Sequence, residues 1–199
     1  MCSELGRLLP SPKTGNESFH SDGQNLGFDL LSFWKWSCSD LVSNATRGRL
    51  AEFIVAKALG VTTDCVRDEW GAYDLNMSEG IKIEVKSAAF VQSWHQDKLS
   101  KISFLTPKTR EYSPDTNKLA QERRRQADVY VFALLAYKDK PNLDPMNINQ
   151  WSFYVVPTRK LDSRTRSQYS ITLPTLEKLT QGPVSFCQLR SVVLIATAQ

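Results

Sequence analysis

A mixed α/β (α+β) fold, with a central mixed β-sheet flanked by helices, is predicted by three features of the chain. A helix candidate with apolar residues at helical spacing precedes a group of short strand candidates. The run Val129 to Leu135 is apolar throughout, as a strand buried on both faces must be. Trp151 to Val156 then supplies a further strand, stopped by Pro157. The implied order is helix, three-strand meander, strand or loop, helix, strand, strand, which packs as a sheet with helices on its faces. With 199 residues, 41% hydrophobic and 23% charged, the chain can bury one core with a small appendage, and two full domains do not fit comfortably.

Residues 1–24 are rich in Ser, Gly, Pro, Asn and His and read as a flexible leader. Residues 25–160 are expected to form the core, and 161–199 a helical appendage packed on it. The aromatic-rich stretch Phe28 to Leu41 reads as a helix, lying on the core or at a partner surface. A second helix starts at a cap among Ser43, Asn44 and Thr46, carries Leu50, Phe53, Ile54, Ala56, Ala58 and Leu59, and ends at Gly60. Its one acid, Glu52, sits among small and apolar neighbours. Strand candidates follow at Cys65 to Arg67, Tyr73 to Asn76 and Ile81 to Ser87, with Ser78-Glu79-Gly80 as a hairpin turn. Lys101 to Leu105 is a further strand candidate, Thr109 to Thr116 a loop, and Asn117 to Gln126 a polar helix. Near the end, Leu173 to Leu179 and Phe186 to Leu194 read as short helices around Gly182-Pro183. They either form a helix-turn-helix or cap the sheet, and the spacing of Leu176, Leu179, Phe186 and Leu189 favours capping.

A formal net charge of +4 and a pI near 8.9 permit a polyanionic partner without requiring one. Cys2, Cys38, Cys65 and Cys187 are widely spaced and include no Cys-x-x-Cys pair, which argues against a zinc knuckle or a disulfide framework. Neither a secretory signal nor an apolar run of the roughly 20 residues that a bilayer demands is present. A soluble, cytoplasmic protein without a membrane partner is the expectation.

The chemistry concentrates at Ile81-Lys82-Ile83-Glu84-Val85-Lys86-Ser87. Alternation puts Ile81, Ile83 and Val85 on one face and Lys82, Glu84 and Lys86 on the other. Glu84 and Lys86 therefore project together, next to Asp74 from the neighbouring strand. Two carboxylates and an ammonium meet the needs of metal-assisted phosphodiester hydrolysis: oxygen ligands for a hard divalent cation and a positive group to hold the attacking water. Taken alone, Glu84-Val85-Lys86 is an ordinary exposed strand. Asp74 across the turn and Glu52 upstream make it a candidate site.

Asp74, Glu84 and Lys86 resemble the pattern of the PD-(D/E)xK nuclease superfamily, the restriction endonuclease-like fold, with Tyr73 where the motif's name has proline. The resemblance spans roughly Arg47 to Val156 in the order of elements, and Glu52 stands where an upstream helix acid often accompanies the motif. It implies a Mg²⁺-dependent endonuclease acting on DNA, of a restriction, repair or defence type. A DNA-binding module with weak or no cleavage, and a nuclease acting on RNA or branched DNA, are the alternatives. The implied ligands of Mg²⁺, or of Mn²⁺ as a substitute, are Asp74, Glu84, the carbonyl of Val85 and, through water or at a second ion, Glu52. Lys86 is implied to orient the attacking water. Nucleases of this kind often act as dimers, which makes a homodimer an open expectation.

For DNA contact, Lys118, Gln121, Arg123, Arg124 and Arg125 form the densest basic cluster, either a solvated helix face or a set of phosphate contacts. Some superfamily members carry a glutamine-bearing helix after the active strand, where Gln92, Trp94, His95 and Gln96 lie here. Trp94 is a candidate for stacking on a base, and His95 reads first as a surface histidine.

Overall fold

A computed structural model describes residues 5–198, so the first four residues of the expected leader lie outside the described residues. The chain begins with a hairpin, β1 (Ser18–Ser21) and β2 (Gln24–Asp29), followed by α1 (Leu30–Cys38) and α2 (Asn44–Leu59). Then come β3 (Leu75–Asn76), β4 (Lys82–Ala89), β5 (Ser103–Leu105), β6 (Thr109–Ser113), β7 (Lys118–Arg124) and β8 (Val129–Leu135). The last elements are β9 (Trp151–Pro157), α3 (Thr158–Asp162), β10 (Ser170–Thr172), α4 (Leu173–Leu179) and α5 (Leu189–Ala198).

The central sheet runs β3-β4-β8-β9. Strand β4 is antiparallel to β3 and parallel to β8, and β8 is antiparallel to β9, so the sheet is mixed as expected. Every residue of β8 is buried, because helices and loops cover both faces of this central strand. Alternation sorts the core into two layers. On one face, Ile83, Val85, Val131 and Val155 pack against Ile54, Val55 and Leu59 of α2 and Leu189 and Val193 of α5. On the other, Tyr130, Phe132 and Tyr154 meet Phe104, Ile171 and Leu176.

Helix α2 forms where the sequence places it. Ser43 caps its start, with the Oγ accepting from the Thr46 amide, and Gly60 ends it in the left-handed region at φ 72°. The terminal helices do not form a helix-turn-helix. Leu176 of α4 packs on one face of the sheet and Leu189 and Val193 of α5 on the other, which separates them across the core.

Several expectations need correction. The stretch 1–24 is not leader throughout, because β1 and the start of β2 fall within it, with Phe19 and Phe28 stacked at 4.7 Å between ring centroids. Helix α1 buries none of its residues, so of the two placements expected for it, on the core or at a partner surface, the first does not hold. Cys65 to Arg67 is irregular, and residues 109–126 form the antiparallel hairpin β6–β7 where a loop and a polar helix were expected. The reason is local. Lys118 to Arg124 has no apolar stripe to bury as a helix, and all seven residues are exposed. Pro114 to Asn117 form a turn, Asn117 takes φ 53°, and its side chain accepts from the Tyr112 hydroxyl at 3.2 Å. The turn brings Thr109–Ser113 alongside as a partner strand.

Candidate active site

Strand β3 is two residues long and pairs Leu75 with Ile83, so among the described residues no strand lies beside this edge of β4 beyond Ile83. Asp74 covers the first unpaired position. Its amide donates to the Ile83 carbonyl at 3.0 Å, and its Oδ2 accepts from the Val85 amide at 2.7 Å. N–H and C=O of one strand residue leave on the same side, so the Val85 carbonyl also points toward this open edge. Around such an edge, side chains from both faces of a sheet can meet.

They do so here. Glu84 projects from β4 beside Lys86, whose Nζ donates to Glu84 Oε1 at 2.5 Å. Glu52 approaches from α2 on the other face, and Arg67 links it to Asp74. The Arg67 guanidinium pairs with both Glu52 oxygens, donates to Glu69 Oε2 at 2.7 Å and lies 3.6 Å from Asp74 Oδ1. Burial, then the negative charges of Glu84 and Glu52, push the Asp74 carboxyl up to about 7, against the opposing pull of the Val85 amide and Lys86. Neighbouring Tyr130, paired with Glu84 across the sheet, is held as a neutral phenol by burial and by that same carboxylate.

The carboxylates open into a cleft of about 480 Å³ between the sheet edge and the β6–β7 hairpin, lined by Asp74, Glu84, Glu69, Trp70, Arg110 and Tyr112 among others. Trp70 and Tyr112 lie 5.5 Å apart, ring centre to ring centre, and form an aromatic wall at its mouth. Pairing sets Arg110 opposite Arg123 and Thr109 opposite Arg124, so basic groups line the hairpin beside the cleft. The residues that the motif did not reveal are therefore Arg67, Trp70, Arg110 and Tyr112. Their signal was weak, because each belongs to a segment whose conformation depends on contacts distant in sequence.

A match to the family model of bacteriophage T4 endonuclease IV covers residues 29–172, well over half of the chain. The chain belongs to the bacteriophage T4 endonuclease IV family. No curated protein sequence matches it. The endonuclease IV match takes in α1 through β10, and with them Glu52, Arg67, Asp74, Glu84, Lys86 and the whole β6–β7 hairpin. A nuclease family thus accounts for the stretch that carries the acidic cleft.

The remaining expected site residues separate. Lys118, Gln121, Arg123 and Arg124 share the exposed strand β7, on a hairpin where a helix was expected. Arg125, next in sequence, turns inward. It is 6% exposed, pairs with Asp162, and donates to the Thr106 carbonyl at 2.7 and 3.1 Å and to Gln168. This tie anchors the hairpin's return to the core, so Arg125 is a structural residue. Arg125→Ala should destabilise the fold by about 2–4 kcal/mol, because it leaves buried carbonyls without donors. Arg123→Ala should stay within about 0.5 kcal/mol of the parent. Urea denaturation of the two variants checks this, and equal stabilities would contradict it.

Gln92 is likewise buried, donating to the Ala89 carbonyl at 2.9 Å and to Ser100 Oγ at 3.1 Å, and it braces the turn after β4. Trp94 and His95 are exposed, with His95 facing Asp97. Among the described residues no helix is long and apolar enough to cross a membrane.

Proposed function

We propose that the chain is a metal-dependent endonuclease hydrolysing phosphodiester bonds in DNA, with Asp74, Glu84 and Lys86 at its centre and Glu52 beside them. The observation that carries this reading is the largely buried Asp74 carboxyl. Two further carboxylates crowd it and push it up to about 7 at an open strand edge that also presents a backbone carbonyl. Such a concentration of negative charge and hard oxygen donors calls for a cation.

Mg²⁺, with Mn²⁺ as a substitute, fits the donor chemistry of Asp74, Glu84 and the Val85 carbonyl. Among the described residues no three acidic, histidine or cysteine side chains are gathered ready to hold a metal, and Glu52 is engaged by Arg67. It therefore joins as an outer partner or after Arg67 moves. When bound, the ion polarises the phosphoryl oxygen and stabilises the leaving oxyanion. Lys86, one third exposed and held by Glu84, orients the attacking water toward phosphorus. The basic hairpin positions the backbone of the DNA over the cleft, and Trp70 with Tyr112 packs against its sugars or bases. The intact acid and lysine set, the superfamily pattern it resembles and the nuclease family of the chain all support this assignment.

Stripping the purified protein with a chelator should abolish cleavage of plasmid and oligonucleotide DNA, and adding Mg²⁺ or Mn²⁺ should restore it. Undiminished cleavage in excess EDTA would overturn the reading. In binding assays Arg123→Ala should weaken DNA affinity about equally across sequences and lower the salt slope by about 1, since a phosphate contact carries no sequence information.

A further inference from the structure

Residues 62–73, between α2 and β3, are fixed in an unusual way. Among the described residues no backbone–backbone hydrogen bond involves this segment, which lies between the Val61 amide bonded to Ala56 and the Asp74 amide bonded to Ile83. Side chains hold it instead: Arg7 to Asp68 at 2.9 Å, Trp70 against Tyr112, and above all Arg67 to Glu52, Glu69 and Asp74. A cavity of about 490 Å³ lies under the segment, lined by Phe53, Ala56, Val61 and Cys65 and reaching Glu52, Arg67 and Asp74. Asp74 also lines the cleft below the hairpin, so it borders both spaces, and the Arg67 guanidinium lies 3.6 Å from its Oδ1.

We infer that Arg67 is the internal counter-ion of the site, displaced when the divalent cation binds, and that the freed guanidinium then grips a phosphate of the nucleic acid. The inference rests on the metal-dependent reading above. Arg67 uses the oxygen lone pairs of Glu52 and faces the Asp74 oxygen not taken by the Val85 amide, the same atoms that a metal requires. A guanidinium and a divalent cation compete for those oxygens, and their charges repel at such range. Displacement breaks the Arg67 ion pairs, which the incoming cation replaces, and the segment has open space beneath it and no backbone ladder to break. The side chain is one third exposed and its neighbours Glu69 and Trp70 already line the cleft. A planar five-donor fork released there is matched to a phosphodiester. Arg67 thereby couples metal loading to substrate binding: the site keeps its carboxylates together without metal, and gains a phosphate ligand once the metal arrives.

Mn²⁺ titrations followed by calorimetry, with the full chain and no nucleic acid, test the first half. Arg67→Met should bind Mn²⁺ on the order of tenfold tighter than the parent, and Arg67→Lys should fall between them. Fluorescence anisotropy with a labelled oligonucleotide at saturating Mn²⁺, in a Lys86→Ala background that prevents cleavage, tests the second. There Arg67→Met should bind on the order of tenfold more weakly, with Arg67→Lys again intermediate. Equal or weaker Mn²⁺ affinity in Arg67→Met overturns the inference while leaving the metal reading intact. Unchanged oligonucleotide affinity overturns its second half. Mn²⁺ binding to neither protein removes the metal reading and the inference with it.

Discussion

Replacing Lys86 by alanine is expected to lower the cleavage rate at least about 100-fold while leaving the fold in place. The ammonium is one third exposed and its single short contact is with Glu84, so its loss opens no cavity in either core layer. What disappears is the positive group proposed to hold the attacking water. The Glu84 carboxylate also loses its partner and adds one more uncompensated charge next to Asp74. Two measurements on one preparation decide the matter. Single-turnover cleavage at saturating Mg²⁺ should collapse, whereas the thermal midpoint should move by only a few degrees. A variant that cuts at the parental rate would show that the lysine belongs to a solvated strand face, and the assignment of the centre would fail with it. A conservative Lys86→Arg should recover only part of the loss, because a guanidinium keeps the charge but not the compact geometry of the ammonium.

The core of this fold could be read from the chain wherever burial alone determines structure. Val129 to Leu135 is apolar without interruption because both faces of β8 are covered, and β4 alternates from Lys82 to Lys86 because one face meets α2. The cap and stop of α2 were legible because they are local: Ser43 and Gly60 act within a few residues of themselves. The β6–β7 hairpin was not. Its residues are all polar or exposed in β7, so no hydrophobic period marks them, and good helix formers such as Leu119, Ala120, Gln121 and Glu122 point the wrong way until the turn at Pro114–Asn117 is weighed. The error carried over to the basic cluster. On a helix Arg123, Arg124 and Arg125 would fan around the axis, but a strand alternates and the chain then turns, which leaves two arginines outside and sends the third to Asp162.

The acidic centre shows the same division. Asp74, Glu84 and Lys86 are tied by a hairpin and a period of two, both local properties, and the structure brings them together at one strand edge. Arg67 joins them through a segment held by side chains alone, and nothing near it in sequence distinguishes it from any other exposed arginine.

Asp74→Asn should abolish cleavage and yet stabilise the metal-free protein at pH 8. The carboxyl is 16% exposed and raised from 3.8 to about 7, first by burial and then by Glu84 and Glu52. A folded-state value above the unfolded one means that the native protein holds the extra proton between those two pH values. Its stability therefore falls as pH rises from about 4 to about 7 and is level beyond. At about 1.4 kcal/mol per pH unit the ceiling on this penalty is roughly 4 kcal/mol, and relaxation of the lightly held segment 62–73 reduces it to about 1–3 kcal/mol. Asparagine keeps an oxygen for the Val85 amide but carries no charge, so the variant should unfold at higher temperature than the parent at pH 8 and lose the decline between pH 4 and 7. Mg²⁺ or Mn²⁺ should raise the midpoint of the parent, because the ion relieves the same repulsion, and should leave the variant nearly unmoved. A variant less stable than the parent at pH 8 would mean that Asp74 is a structural carboxylate satisfied by its neighbours. The expected result makes it a charge that Arg67 and Lys86 offset only in part, kept at the expense of stability.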